Sequence, residues 1–156
     1  MDIVRLHSTD ARRLLPLLHQ VHDLHVMNLP ERYHPITTDQ RAVDWLEEWL
    51  LQDAVYGFGA VSDGTLVGYA ILEIEQKPET VLKHARTHAM LQHICVDAGH
   101  RRRGVAQALF RAAQAHLAPI GITDYGTAYA SFNTSSAALM ASLGFQPTMI
   151  YAKRKS

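Results

Sequence analysis

The chain has 156 residues, of which 47% are hydrophobic, and this is enough for one domain with a packed core. Its 15 lysines and arginines balance its 15 aspartates and glutamates, which argues against a general nucleic-acid or membrane-surface binder. The single cysteine, Cys95, excludes an intrachain disulfide and a cysteine-based zinc cluster.

The N-terminus has no basic segment followed by an apolar one, and no apolar run approaches the roughly 20 residues of a membrane span. We therefore expect a cytoplasmic protein. No internal repeat or linker interrupts the chain, so residues 1–156 are expected to form a single domain.

The first third of the chain predicts one strand and two helices. Residues 3–7 form the strand, and Thr9 or Asp10 can cap a helix in which Pro16 predicts a kink or a late start. Two prolines make 29–37 a loop, and Thr38 or Asp39 can cap a second helix that ends at Leu51. The apolar residues of this helix that we expect to face inward are Trp45, Leu46 and Trp49.

From residue 54 onward the apolar period is typical of strands, with two helices between them. The predicted strands are 54–61, 66–75, 88–96, 122–130 and 148–153, with a hairpin turn at residues 62–64. The predicted helices are 104–117 and 134–143, the second closed by Gly144 as a left-handed cap. The order β-α-α-β-β-β-α-β-α-β indicates an α/β (α+β mixed sheet) fold with helices on both faces of the sheet.

The loop before the third helix has the features of a phosphate-binding site. An apolar run from Met90 to Val96 leads into Arg101-Arg102-Arg103-Gly104, and the helix begins directly afterwards. The first main-chain N–H groups of a helix are unpaired, and the helix dipole favours an anion there. Three arginines at this end are unfavourable unless an anion binds, and Gly104 removes a Cβ where the backbone would touch it.

A family resemblance begins with this loop, which reads Arg101-x-x-Gly104-x-Ala106. The pattern resembles the pyrophosphate-binding signature Gln/Arg-x-x-Gly-x-Gly/Ala of the GNAT superfamily of acyl-CoA-dependent N-acyltransferases. About 27 residues later the chain reads Asn133-x-x-Ser136-x-x-Leu139-Met140-x-x-x-Gly144-Phe145. This segment is similar to the family's Asn-x-x-Ala-x-x-Leu-Tyr-x-x-x-Gly-Phe in order and spacing.

The resemblance implies a GNAT-like domain whose central sheet splays apart to hold the cosubstrate, acetyl-CoA, without a metal. Main-chain groups of the third long strand would bind the pantetheine arm, the N–H groups of the loop and helix start would bind the pyrophosphate, and Asn133 would contact the arm. The residues so implied are Ile94, Cys95, Val96, Arg101, Arg102, Arg103, Gly104, Val105, Ala106, Gln107 and Asn133.

Acetyl transfer from a thioester to an amine requires a neutral amine, and at pH 7 only about one alkylamine in 10³ is neutral. A general base therefore helps, and the candidate catalytic residues are His88 and Glu73, with Glu75 and a water held by Gln92 as further possibilities. Met140 occupies the position at which the family often has a tyrosine acid. Methionine cannot donate a proton, so we expect Met140 to pack and the thiolate to leave without an enzyme acid.

Several alternatives remain open at this point. His93 beside Cys95 could indicate a thiol nucleophile, although a small cysteine in an apolar strand usually packs. The ten histidines could hold a metal, but their spacings are poor for one. A protein of the same fold could also bind acyl-CoA as a sensor or scaffold without turnover, and RNA binding by the arginines is disfavoured because no aromatics are interleaved.

The resemblance thus implies an N-acetyltransferase that moves an acetyl group from acetyl-CoA to a primary amine by direct attack in a ternary complex. The acceptor would lie under the loop between the first two helices, residues 29–35. That loop mixes an acid, a base and an aromatic, which suits small-molecule amines and also a peptide N-terminus or a lysine. A homodimer is possible.

Overall fold

The computed structural model describes residues 1–156 and contains one five-stranded sheet and four helices. The strands are β1 (Asp2–Leu6), β2 (Val55–Ser62), β3 (Thr65–Lys77), β4 (Arg86–Val96) and β5 (Tyr125–Thr127). The helices are α1 (Ala11–Asn28), α2 (Asp39–Leu50), α3 (Val105–Leu117) and α4 (Thr134–Ser142). The sheet order is β1-β2-β3-β4-β5, with antiparallel pairing throughout except for the parallel pair of β4 and β5.

Two hydrophobic cores lie on opposite faces of this sheet. On one face α1 and α2 pack against β3 side chains that include Tyr69 and Ile71. On the other face α3, together with Met140 of α4, packs against Ala70 and Leu72 of the same strand. Alternate side chains of a strand point to opposite faces, so β3 supplies both cores. The predicted mixed sheet with helices on both faces is confirmed.

The sheet splays between β4 and β5. The two strands pair only over three residues, from Ala89 opposite Tyr125 to Leu91 opposite Thr127. The Thr127 hydroxyl then donates to the Leu91 carbonyl at 3.1 Å, after which the strands part. From His93 to Val96, β4 has a strand partner on its β3 side only.

A β-bulge lies where the splay begins. Ile71 of β3 is opposite His93, but the next residue, Leu72, is opposite Leu91, so Gln92 is the extra residue. Bulges reorient the strand that follows them. The extra residue shifts the alternation of the main-chain groups by one. The residues whose N–H and C=O groups face β5 before the bulge therefore do not alternate in step with those that face the gap after it.

The predicted hairpin turn, the cap at Thr38 and the left-handed glycine at Gly144 are confirmed, whereas the Asp10 side chain makes no capping hydrogen bond to α1. The hairpin turn has positive φ at Asp63 (49°) and Gly64 (77°), as a tight turn of right-handed twist requires. The Thr38 side chain accepts from the N–H of Arg41 at the start of α2. Gly144, at φ 88°, follows α4 in the left-handed conformation.

Three expectations from the sequence need correction. Residues 148–153 form no strand; they are exposed and have no sheet partner. The strand predicted at 122–130 is reduced to Tyr125–Thr127 because its continuation turns away from β4 at the splay. Helix α1 starts at Ala11 and runs through Pro16 without the late start that proline suggested, after a 3-10 turn at Ser8–Asp10.

The orientation of α2 also differs from the prediction. Leu46 is fully buried, but Trp49 is half-buried and Trp45 is 46% exposed, so the two indoles lie at the edge of the core. None of the four helices is long and apolar enough to cross a membrane.

Candidate functional site

The main chain of β4 is open toward the gap at two residues. The N–H of Asp97 donates to the Val67 carbonyl at 2.9 Å, and antiparallel hydrogen bonding alternates residue by residue. Cys95 therefore directs its main-chain groups to β3, and its carbonyl oxygen lies 3.0 Å from the position a Cβ on Gly68 would take. Ile94 and Val96 direct theirs toward the gap. The Val96 carbonyl accepts from Arg101 Nε, so the groups left free are the N–H and C=O of Ile94 and the N–H of Val96.

The loop after β4 is held by Asp97. Its carboxylate accepts from the Gln20 amide at 3.0 Å, from the His100 ring at 3.0 Å and from the N–H of Gly99 at 2.9 Å. The hydrogen bonds from Gln20 and then His100 lower the pKa of Asp97 to about 2. Arg101 Nε closes the loop by donating to the Val96 carbonyl at 3.0 Å. The open edge of β4 therefore continues directly into the arginine loop.

The start of α3 forms a cradle of main-chain donors. Arg102 has φ 61° and Gly104 has φ 78°, left-handed conformations on either side of Arg103. Such alternating backbone aims successive N–H groups into one concavity. A Cβ at Gly104 would meet no protein atom within 4 Å, so the glycine is required by its backbone angle and leaves open space above the helix start.

Asn133 follows β5 in the chain and is the N-cap residue of α4. Its Oδ1 accepts from the N–H of Ser136 at 3.0 Å and caps α4, which leaves the amide nitrogen as its remaining donor. These features fit a long ligand with a phosphate end: free N–H groups along β4, a cradle of main-chain N–H donors next to three arginines, and a side-chain donor at the start of α4. The chemistry of the site therefore agrees with the CoA moiety that the sequence implied.

Cys95 is a packing residue. Its thiol is buried and donates to the Leu17 carbonyl at 3.3 Å. Burial raises the pKa of this thiol to about 11, so at neutral pH it is protonated, the form that is a poor nucleophile. The hypothesis of a thiol nucleophile paired with His93 is not supported by the geometry, because the His93 ring bonds to Tyr69 instead.

The two candidate bases lie on the α1–α2 face of the sheet, near the start of β4. His88 is buried; its Nε2 is 3.3 Å from Glu75 Oε2 and its Nδ1 has no hydrogen-bond partner. Glu73 is half-buried and lies opposite Met90. Glu73 is closer to the bulge than His88 is. It lies two residues, roughly 7 Å, along β3 from Ile71, the residue opposite His93.

The structure reveals a group of aromatic side chains that the sequence did not indicate. His93 lies on the α1–α2 face just after the bulge, and its Nδ1 is 3.3 Å from the Tyr69 hydroxyl. Its ring centroid is 5.1 Å from Trp49 and 6.0 Å from Trp45. Burial, followed by the influence of His25 and His22, lowers the pKa of His93 to about 4. The only sequence signal was the i, i+4 spacing of the tryptophans, which suggested core packing.

A second group of rings joins three separate segments of the chain. Tyr33, in the loop between α1 and α2, packs edge-on against His25 at 5.2 Å and His22 at 6.1 Å. Phe132, from the loop after β5, contacts His25 at 5.5 Å. The loop at residues 29–35 therefore contacts α1 through Tyr33, and α1 in turn contacts the segment after β5 through His25. No group of three or more histidine, cysteine or carboxylate side chains assembles as a metal-binding cluster.

Met140 is buried in the second core, together with Phe110 and Leu109 of α3. A thioether in this position fills space and offers no proton. The expectation that Met140 packs agrees with its burial.

Solved structures with the same fold cover nearly the whole chain. A tetramutant of the BH1408 protein from Bacillus halodurans superimposes with a TM-score of 0.90 over 100% of both chains, at 17% identity. The aminoglycoside N-acetyltransferase AAC(6')-Iy in complex with CoA has a TM-score of 0.76 and 25% identity, over 99% of this chain and 93% of that one. The ribosomal-protein-alanine N-acetyltransferase from Brucella melitensis biovar Abortus 2308 has a TM-score of 0.72 and 24% identity, over 99% of each chain.

Among curated proteins none matches the chain significantly. The model of the acetyltransferase (GNAT) family matches residues 18–145, which include the open edge of β4, the arginine loop and the start of α4. The chain therefore belongs to the GNAT family of acetyltransferases.

Proposed function

We propose that this protein is an N-acetyltransferase that moves the acetyl group of acetyl-CoA to a primary amine by direct attack in a ternary complex. The observation that carries the proposal is the splay, where the free N–H groups of Ile94 and Val96 lead into the cradle at Gly104. The complex of AAC(6')-Iy with CoA supports acetyl-CoA as the cosubstrate of a related protein.

The protein would hold acetyl-CoA mainly through its backbone. The N–H groups from Arg102 to Gln107 bind the pyrophosphate, with charge from Arg101–Arg103, and Ile94, Val96 and Asn133 bind the arm. Acetyl-CoA supplies the acetyl group as a thioester. An N–H at the open edge of β4 donates to the acetyl carbonyl oxygen, which gains negative charge when the amine attacks.

We propose Glu73 as the general base in preference to His88. The attacking amine loses a proton, the new carbon–nitrogen bond forms and the carbon–sulfur bond breaks, releasing CoA. Glu73 is half-buried and carries no ion pair, so it can accept the proton, directly or through water. His88 is held against Glu75 and has a side chain only 5% exposed, which restricts its access to substrate.

The proposal is tested by calorimetry with acetyl-CoA and by product mass spectrometry on a panel of primary amines. We expect one-to-one binding and an acetylated amine whose formation depends on enzyme. A protein that binds acetyl-CoA but acetylates no amine would instead be the sensor or scaffold. If millimolar acetyl-CoA gave no heat of binding and no thermal stabilisation, both the N-acetyltransferase and the sensor or scaffold would be contradicted.

We also propose a homodimer formed through the C-terminal segment. Met149, Ile150 and Tyr151 are each more than four-fifths exposed, and the apolar pattern of this segment is typical of a strand. Sedimentation of the full chain and of a chain ending at Pro147 tests this. A full chain that sediments as a monomer at all concentrations contradicts it.

A further inference from the structure

The aromatic cluster, defined as Trp45, Trp49, Tyr69 and His93, forms a wall on the α1–α2 face of β4. The two indoles lie 5.1 Å apart with their planes 33° from parallel, and the His93 ring meets Trp49 edge-on at 79°. His93 directly precedes Ile94, whose main chain opens into the gap. The wall therefore adjoins the proposed position of the acetyl group.

The exposed part of this wall is flat and apolar. Tyr69 is fully buried, but Trp45 is 46% exposed and Trp49 is half-buried. Packing in the core places Leu46 of the same helix at 0% exposure, so Trp45 is not needed to fill that core. Aromatic faces bind other rings with a favourable offset or edge-on geometry.

The cluster carries no charge at neutral pH. Burial, followed by the influence of His25 and His22, lowers the pKa of His93 to about 4, and no carboxylate raises it. Burial also raises the pKa of the Tyr69 hydroxyl. The titratable groups that influence these two side chains are two histidines and the thiol of Cys95, and none of them is an anion at neutral pH.

We propose that the aromatic cluster is the acceptor subsite and selects a primary monoamine carried on a flat aromatic group. The proposal rests on the proposed acetyl transfer and names its substrate class. A ring stacked on Trp45 would place its amine beside the open edge of β4. The apolar surroundings disfavour the ammonium form and so favour the neutral amine that can attack.

The same features disfavour polycations. In the proposed reaction Glu73 takes up the proton of the attacking amine, so a second ammonium bound beside the rings would leave water without a carboxylate of its own to pair with, which is costly in an apolar site. The solved neighbours include aminoglycoside N-acetyltransferases, whose substrates carry several amines. We therefore expect this chain to differ from them in acceptor class although it shares their fold.

The test compares kcat/KM for phenylethylamine, butylamine and putrescine, because the last two differ by one amino group. We expect kcat/KM for phenylethylamine to exceed kcat/KM for putrescine by at least about tenfold. Trp45→Ala should lower the value for phenylethylamine about tenfold, and Trp45→Phe should restore most of it. Leu51→Ala, at an exposed apolar residue directly after α2 and outside the cluster, is the matched control and should change nothing.

Tryptophan fluorescence separates this inference from the proposed function. The chain has only two tryptophans and both belong to the cluster, so their emission should change when phenylethylamine binds in the presence of CoA, even if no amine were acetylated. Acetylation of no amine would overturn the proposed function. The subsite would be overturned by a higher kcat/KM for putrescine than for phenylethylamine or by an unchanged kcat/KM in Trp45→Ala. It would also be overturned if phenylethylamine changed the tryptophan emission no more than dilution of the protein does.

Discussion

The two walls of the gap are formed by different parts of the chain. Toward β5 and α3 the site consists of main-chain groups, at Ile94, Val96 and the loop through Gly104. Toward α1 and α2 it consists of side chains, Glu73 and the aromatic cluster. A main-chain wall depends on backbone conformation and tolerates side-chain changes, whereas a side-chain wall can change its ligand with one substitution. The first wall suits the shared cosubstrate and the second suits the acceptor that distinguishes one enzyme from another.

The largest effect is expected from Gly104→Val, which attacks the main-chain wall. A β-branched residue is strongly disfavoured at φ 78°, and its side chain would occupy the space above the cradle. Affinity for acetyl-CoA should fall by at least about 100-fold, a loss of roughly 2.7 kcal/mol, measured by calorimetry.

Gly121→Val is the matched control for this change. Gly121 has φ 88° and equally open surroundings, but it follows the far end of α3, about 20 Å away. Both variants carry the same backbone strain, so both should lose stability on thermal unfolding. Only Gly104→Val should lose acetyl-CoA; equal affinities in the two variants would show that the cradle lies elsewhere.

A second prediction concerns the side-chain wall. Glu73→Gln should lower kcat by about 10² or more, with the loss greatest at low pH, where neutral amine is scarcest. Acetyl-CoA affinity should be unchanged because no main-chain group of the other wall is altered. The pH profile of kcat makes the measurement.

Glu75→Gln is the control, since Glu75 lies two residues along the same strand face but is engaged by His88 and Lys77. It should retain most of kcat. If Glu75→Gln or His88→Gln is slowed and Glu73→Gln is not, the base is the buried histidine and our preference between the two candidates is wrong.

The smallest effect is expected from Cys95→Ala. Cys95 belongs to neither wall, because its main chain is bonded to β3 and its thiol is buried. Its thiol, with a pKa of about 11, is protonated below that pH, so alkylation by iodoacetamide should be slow at neutral pH and rise only in strong alkali. The variant should lose about 1 kcal/mol of stability with its packing and keep kcat within a few-fold. A folded variant without activity would revive the thiol nucleophile.

The difference between the walls also explains which features could be predicted from the sequence. The main-chain wall follows from local signals: an apolar strand, a glycine at a helix start and the spacing to Asn133. The aromatic cluster depends on how α2 rotates against the sheet, and the apolar pattern wrongly placed Trp45 inward. The bulge at Gln92 decides which residues face the gap, and no local pattern indicates it. The strand predicted at 148–153 has strand-like residues, but a strand needs a partner, and this chain alone supplies none there.

The most direct test of the account is amide hydrogen exchange at three consecutive residues of β4, with and without acetyl-CoA. The N–H groups of Ile94 and Val96 face the gap, whereas that of Cys95 is paired with β3. Acetyl-CoA should therefore slow exchange at Ile94 and Val96, while Cys95 is protected from the start and changes little. Saturating acetyl-CoA that leaves Ile94 and Val96 unprotected would contradict the claim that the open edge of β4 binds the cosubstrate.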